Sequence, residues 1–312
     1  MWRPERRHPR LAGAAADEAA GAIERLATLL EAGVAPESAW MYLGEFSAHP
    51  VVSQVASTVS SGVRPIDAFA ASTGVRAKGA EPWRALAAAW AVAEASGAPL
   101  APSLRELATA LGDRAETERE IEVALAGPLA TSRLVAWLPV AGLGLGMLMG
   151  VDILGTLLGS VVGGGVLVLG GALMLGGRFW TRLLARSAAP SPGAVGLDLD
   201  LVAVSLTGGV SVERAREFIR QASNRFGIEQ AGATELDDIL ALAQRAGAPA
   251  VELLRSAARQ ARRDARTGGK RAAATLAVRL MVPLGVCILP SFMLLGVAPV
   301  VLSILSSTIS AL

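Results

Sequence analysis

Three stretches of this chain carry no Asp, Glu, Lys or Arg: Leu134–Val151, Ile153–Gly177 and Leu280–Leu312. A helix needs roughly 20 mostly apolar residues to cross a bilayer, so the pattern predicts three transmembrane helices. The segments before and between them are charged enough to fold in water. Composition agrees with such a mixture. A mean hydropathy of +0.47 is too high for an ordinary soluble protein, and 18% charged residues are too many for a compact transporter bundle. The expected organisation is a basic tail (1–16), a first helical bundle (17–132), a membrane hairpin (133–177, with spans 134–151 and 153–177), a second, shorter bundle (178–275), a third span (276–303) and a C-terminal tail (304–312).

Arginine and lysine set the expected orientation, because cytoplasmic flanks carry the positive excess. Arg133 precedes the first span, Arg178, Arg182 and Arg186 follow the second, and Lys270, Arg271 and Arg279 precede the third. Asp152 is the only charged side chain on the opposite side. This predicts a multi-pass protein with both bundles and the N-terminus in the cytoplasm and the C-terminus outside. Residues 1–10 are basic, but Asp17, Glu18, Glu24 and Arg25 interrupt any apolar run behind them, so no cleaved signal peptide is expected. Cys287 is the sole cysteine and excludes both an intramolecular disulfide and a cysteine-based zinc site.

Within the hairpin, Gly142, Gly146 and Gly150 share one helix face and Gly155, Gly159 and Gly163 another. Small faces let helix backbones approach closely in lipid. A turn at Asp152 to Ile153 would set Gly150 opposite Gly155, Gly146 opposite Gly159 and Gly142 opposite Gly163. Pro283, Pro290 and Pro299 predict a kinked third span. Its uncharged length exceeds the membrane, which would leave Ser306–Leu312 at or beyond the far interface.

The two charged segments are a degenerate repeat. TLLEAGVAPESA at 28–39 aligns with VSLTGGVSVERA at 204–215, and SGAPLAPSL at 96–104 aligns with AGAPAVELL at 246–254. The offsets differ by 26 residues, so the second copy is shorter by about one helical pair. Gly33, Gly97, Gly209 and Gly247 are expected to close helices at these landmarks, as glycine does just past a periodic apolar run. The first segment reads as helices at 17–32, 36–44, 50–61, 65–73, 81–96 and 100–126, with Trp83, Leu86, Trp90, Leu104, Leu107 and Leu111 in the core. No strand pattern competes.

Charge is unevenly shared. Residues 1–133 hold 13 basic and 16 acidic side chains, whereas 178–279 hold 16 and 10. The contrast peaks at equivalent places, 113–122 and 263–272. Glu116, Glu118 and Glu120 on one side, and Arg262, Arg263 and Arg266 on the other, are therefore candidate partner contacts, and the basic set is also a candidate for anionic lipid headgroups. Catalytic signatures are missing. Gly268-Gly269-Lys270-Arg271 lacks the Ser or Thr and the first glycine of a phosphate loop. His8 and His49 stand far apart with no cluster of ligands or triad partners between them. No cofactor, no metal and no enzymatic activity are expected.

The LLEAGVAPESA element at Leu29–Ala39, its copy at Leu206–Ala215, the GAPL element at Gly97–Leu100, the span opening LVAWLP and the ending RLMVPLGVCILPSFMLLGVAPVV together resemble the type II secretion system F-domain family. The order of F-domain, hairpin, F-domain and final span resembles it too. The likeness is closer to the branch of the tight-adherence (Tad, or Flp) pilus. The resemblance implies an all-α, polytopic scaffold in the bacterial cytoplasmic membrane, with two cytosolic F-domain bundles. It implies a secretion or pilus ATPase and pilin-like subunits as partners, with a paralogous platform subunit, self-association and membrane lipids as further ones, and no nucleic acid. Two other readings of the residues are a small transporter or channel and a membrane-anchored signalling scaffold. The spans' lack of ionisable residues counts against transport.

Overall fold

In the computed structural model, residues 13–47, 49–77, 79–148, 161–187, 195–228 and 233–298 are described, with 155 and 301 besides. Their regular structure is entirely helical. The first six helices are α1 (Ala14–Glu31), α2 (Pro36–Phe46), α3 (Pro50–Ser60), α4 (Pro65–Ala71), α5 (Glu81–Ser96) and α6 (Leu100–Leu148). Proline opens α2, α3, α4 and α5, where its missing N–H has no intrahelical partner to lose. Glycine closes α1 from the other end. Gly33, at φ 84°, donates its N–H to Leu30, while Val34 donates to Leu29, both at 3.1 Å, a Schellman pair that satisfies carbonyls the helix leaves open.

Four further helices follow the central apolar region's α7 (Val161–Ser187): α8 (Leu197–Thr207), α9 (Val212–Phe226), α10 (Ala233–Ala246) and α11 (Ala250–Arg279). Residues 1–120 and 191–268 form one compact unit, so the two bundles read from the sequence share a core. Helix α5 is its axis and packs against α1, α4, α8 and α9. A helix apolar on all sides must be surrounded, and α5 buries Trp83, Ala85–Ala89, Trp90, Val92, Ala93 and Ser96. Its alanines let neighbours come close. At the end of α8, a Cβ on Gly208 would lie 2.2 Å from the Ser96 carbonyl oxygen, so the second-copy turn sits directly on the end of α5. Trp40 of α2 meets Phe69 edge-on at 5.1 Å and Trp90 at 6.0 Å. All six residues assigned to the core from the sequence are buried.

The second unit comprises residues 121–190 and 269–312. Among the described residues, two helical runs are long and apolar enough to cross a membrane, Gly163–Thr181 within α7 and the C-terminal run Ala250–Val297. Three were expected. The first apolar stretch belongs to the end of α6, whose described part, 134–148, falls short of a bilayer's length; the remainder and the turn at Asp152 lie outside the described residues. After Arg279 the C-terminal run alternates α and π segments, the latter at Leu284–Ile288 and Met293–Val297. The first ends just before Pro290, whose missing N–H leaves the carbonyl of Val286 without its α-helical donor. A longer step to the next N–H is the usual repair.

Candidate functional site

In the first unit, α11 presents a line of arginines paired with acids of α6 and α8. Arg255, Arg262 and Arg266 recur at seven- and four-residue steps on one face of α11. Arg255 Nε lies 2.9 Å from Glu106 Oε1. Arg262 Nη1 donates to Asp200 Oδ2 of α8 at 2.6 Å, with side chains only 18% and 15% exposed. Arg266 donates from Nε to Glu120 Oε2 at 3.0 Å and from Nη2 to Glu120 Oε1 at 2.5 Å, and reaches Glu116 at 3.2 Å. Burial pushes the Asp200 carboxyl above the ordinary range, and the Arg262 charge opposes the shift. The hydrogen bond to Glu120, more than the nearby charges, raises Arg266.

The structure therefore brings Glu116, Glu120 and Arg266 together within one chain. Glu118 instead pairs along its own helix with Arg114 at 2.8 Å, and Arg263 turns to Gln260. Asp200 and Glu106 were missed. The signal was available in the spacing of the α11 arginines, but the acid of α8 lies in a different helix from the acidic stretch. Energetically the pairs differ. Arg266, Glu116 and Glu120 are one-third to one-half exposed, so each contact is worth about 0–1 kcal/mol. The Asp200–Arg262 pair is shielded, and removing one partner would leave a charge without compensation.

Gly33, Gly97, Gly209 and Gly247 all take positive φ, between 60° and 84°. Gly97 follows α5, and the Ala98 N–H behind it donates to Ala93; Gly247 follows α10, and Ala248 donates to Ala243. Helices α3 and α4 stand between α2 and α5, whereas α9 and α10 are joined by 227–232, of which 229–232 lie outside the described residues.

In the second unit the described glycine contacts run to the C-terminal helix. A Cβ on Gly142 would meet Phe292 at 3.3 Å and the Gly296 Cα at 3.4 Å. Gly150 and Gly159 lie outside the described residues, as do the contacts of Gly146, Gly155 and Gly163 that the expected pairing requires. A different register is visible on α7: Gly163, Gly170 and Gly177, seven residues apart, are all buried. Added Cβ atoms would lie 2.6 Å from Leu295 at Gly170 and 2.9 Å from Cys287 at Gly177. Ser291, fully buried, donates its hydroxyl to the Gly170 carbonyl at 2.9 Å, a hydrogen bond between helices of the kind that holds spans together.

Other polar features are structural. His49 accepts the Val51 N–H at Nδ1 to cap α3 and stacks on Trp83 at 4.5 Å. A shallow groove between α4, α5 and α9 holds Arg64 and Arg225, but Arg64 pairs with Asp67 and Glu94 and Arg225 with Asp67. Among the described residues no group of His, Cys, Asp and Glu is arranged to hold a metal ion.

A charged helical bundle together with two long apolar helices fits a membrane protein. Residues 22–148 match the family Type II secretion system (T2SS), protein F. That span covers most of α1 and all of α2 to α6. No curated protein matches the chain.

Proposed function

We propose that this chain is a non-enzymatic, multi-pass platform of the bacterial cytoplasmic membrane that serves a type II secretion or pilus assembly machine, with the tight-adherence pilus as its branch. The N-terminus is cytoplasmic and the C-terminus extracytoplasmic. The platform couples a cytosolic secretion ATPase to insertion or extraction of pilin-like subunits, as an oligomer or beside a paralogous subunit. The observation that carries the reading is the family match over residues 22–148. The positive flanks of the apolar stretches support the orientation. Two halves built around one core at α5 also suit a scaffold, because force applied to either half is borne by both.

Affinity purification of the tagged full chain from native membranes in mild detergent tests the proposal. Mass spectrometry should find a secretion-type ATPase and pilin-like small proteins in the eluate. Recovery of solute-binding or regulatory proteins in their place would overturn it.

A further inference from the structure

Contacts in the second unit fix the relative levels of its three helices. Gly177 abuts Cys287 and Ile288, and Gly142 abuts Phe292 and Gly296. With a rise of 1.5 Å per residue, Arg178 on α7 and Arg133 on α6 both fall level with residues 285–287 of the C-terminal helix. That helix remains uncharged back to Leu280, so its apolar surface continues about 9 Å past the level of the two arginines. Met281 and Val282 there are exposed, as are Phe179, Trp180 and Leu183 on α7. An arginine thus stands at the foot of an exposed apolar and aromatic collar.

Arg178 is itself exposed and forms no ion pair among the described residues. No acidic residue occurs between Ile153 and Gly196, and Arg182 and Arg186 follow at four-residue steps on the same line of the helix. Like charges at that spacing repel. A guanidinium beside hydrocarbon is costly unless it reaches an anion. Its stem can lie along apolar surface while its head reaches the interface, and its planar fork matches a phosphate in bidentate fashion. Tryptophan is at home at the same depth. Arg262 and Arg266 are already turned to acids of the chain.

We infer that Arg178 holds the phosphate of a membrane phospholipid on the exposed face of α7. The inference rests on the membrane reading of the chain. It is tested on the full chain, delipidated in mild detergent and titrated with phosphatidylglycerol, with diacylglycerol and with inorganic phosphate, adducts being counted by native mass spectrometry. Phosphatidylglycerol should bind and diacylglycerol should not, and inorganic phosphate alone should leave no adduct. Arg178→Gln should weaken phosphatidylglycerol binding about fivefold, Arg178→Lys, which keeps the charge but not the fork, should restore only part of it, and Arg214→Gln, in the first unit, should change nothing. Equal binding of diacylglycerol by the unaltered chain overturns the inference without any variant, and so does equal phosphatidylglycerol binding by Arg178→Gln. Retention of inorganic phosphate without lipid, or of an acidic protein in the lipid's place, overturns the lipid as occupant. A chain absent from the membrane fraction would refute the membrane reading itself, whereas a membrane-bound chain indifferent to Arg178→Gln refutes this inference alone.

Discussion

Tryptophan shows how differently the two units are built. Trp40, Trp83 and Trp90 in the first unit are at most 2% exposed, whereas Trp137 and Trp180 in the second are 67% and 40% exposed. The first unit buries its tryptophans and most of its other large apolar side chains, Tyr42, Phe46 and Leu242 being exposed exceptions, and meets its surroundings mainly with charge. The second turns Leu, Val, Phe and Trp outward and keeps glycines and Ser291 within, as helices do where lipid removes the hydrophobic drive and close packing and hydrogen bonds take over. One chain thus contains two rules for which residues go inside, divided near Glu120 and Gly268.

The comparison can be broken most severely at Trp90. Trp90→Ala should cost about 3–5 kcal/mol of stability, read as loss of cooperative chemical unfolding in detergent, while Trp137→Ala should lower it by less than about 1 kcal/mol because that side chain is 67% exposed. Equal losses would mean that the two units follow one rule. Next, Asp200→Ala leaves Arg262 shielded and unpaired, and should destabilise the first unit by about 3 kcal/mol. A thermal melt of the Asp200→Ala, Arg262→Leu double variant should recover part of that loss.

Gly208→Ala sharpens the claim of a shared core. Its Cβ would meet the backbone of Ser96 and Ala98, at 2.2 Å from the nearest oxygen, so overpacking should cost about 1–3 kcal/mol. Limited proteolysis should then release the second-half helices from α5; an unchanged digestion pattern would show that the halves do not depend on this contact. The smallest effect belongs to the second unit. Ser291→Ala removes one hydrogen bond between helices, worth about 0.6 kcal/mol in membranes, and a melting shift resolved only against replicate wild-type scans is expected.

Much of the local structure was legible. Prolines at 36, 50, 65 and 82 and glycines at 33 and 97 marked helix ends within a residue or two, because start and stop signals act through the backbone of the same segment. The sharing of α5 was not. Repeat matching shows which segments are equivalent, not which ones touch, and an alanine-rich helix gives little sign that both halves will surround it. In the second unit the described glycine contacts, of Gly142, Gly170 and Gly177, all run to the C-terminal helix, a partner that the spacing of glycines within the hairpin does not name. The level of Arg178 was invisible for a related reason. Hydropathy places an arginine at the edge of its own span, and only the register between helices shows where its neighbours' apolar surface ends.

Cys287 is the only thiol in the chain, and in the apolar C-terminal run it packs against Gly177. The most direct measurement of the division between a water-facing and a lipid-facing unit is labelling of that native thiol in sealed membrane vesicles. A charged, membrane-impermeant maleimide should not react until the membrane is dissolved and the chain denatured, and a lipid-soluble maleimide should react slowly. Rapid labelling by the charged reagent in intact vesicles would contradict that division.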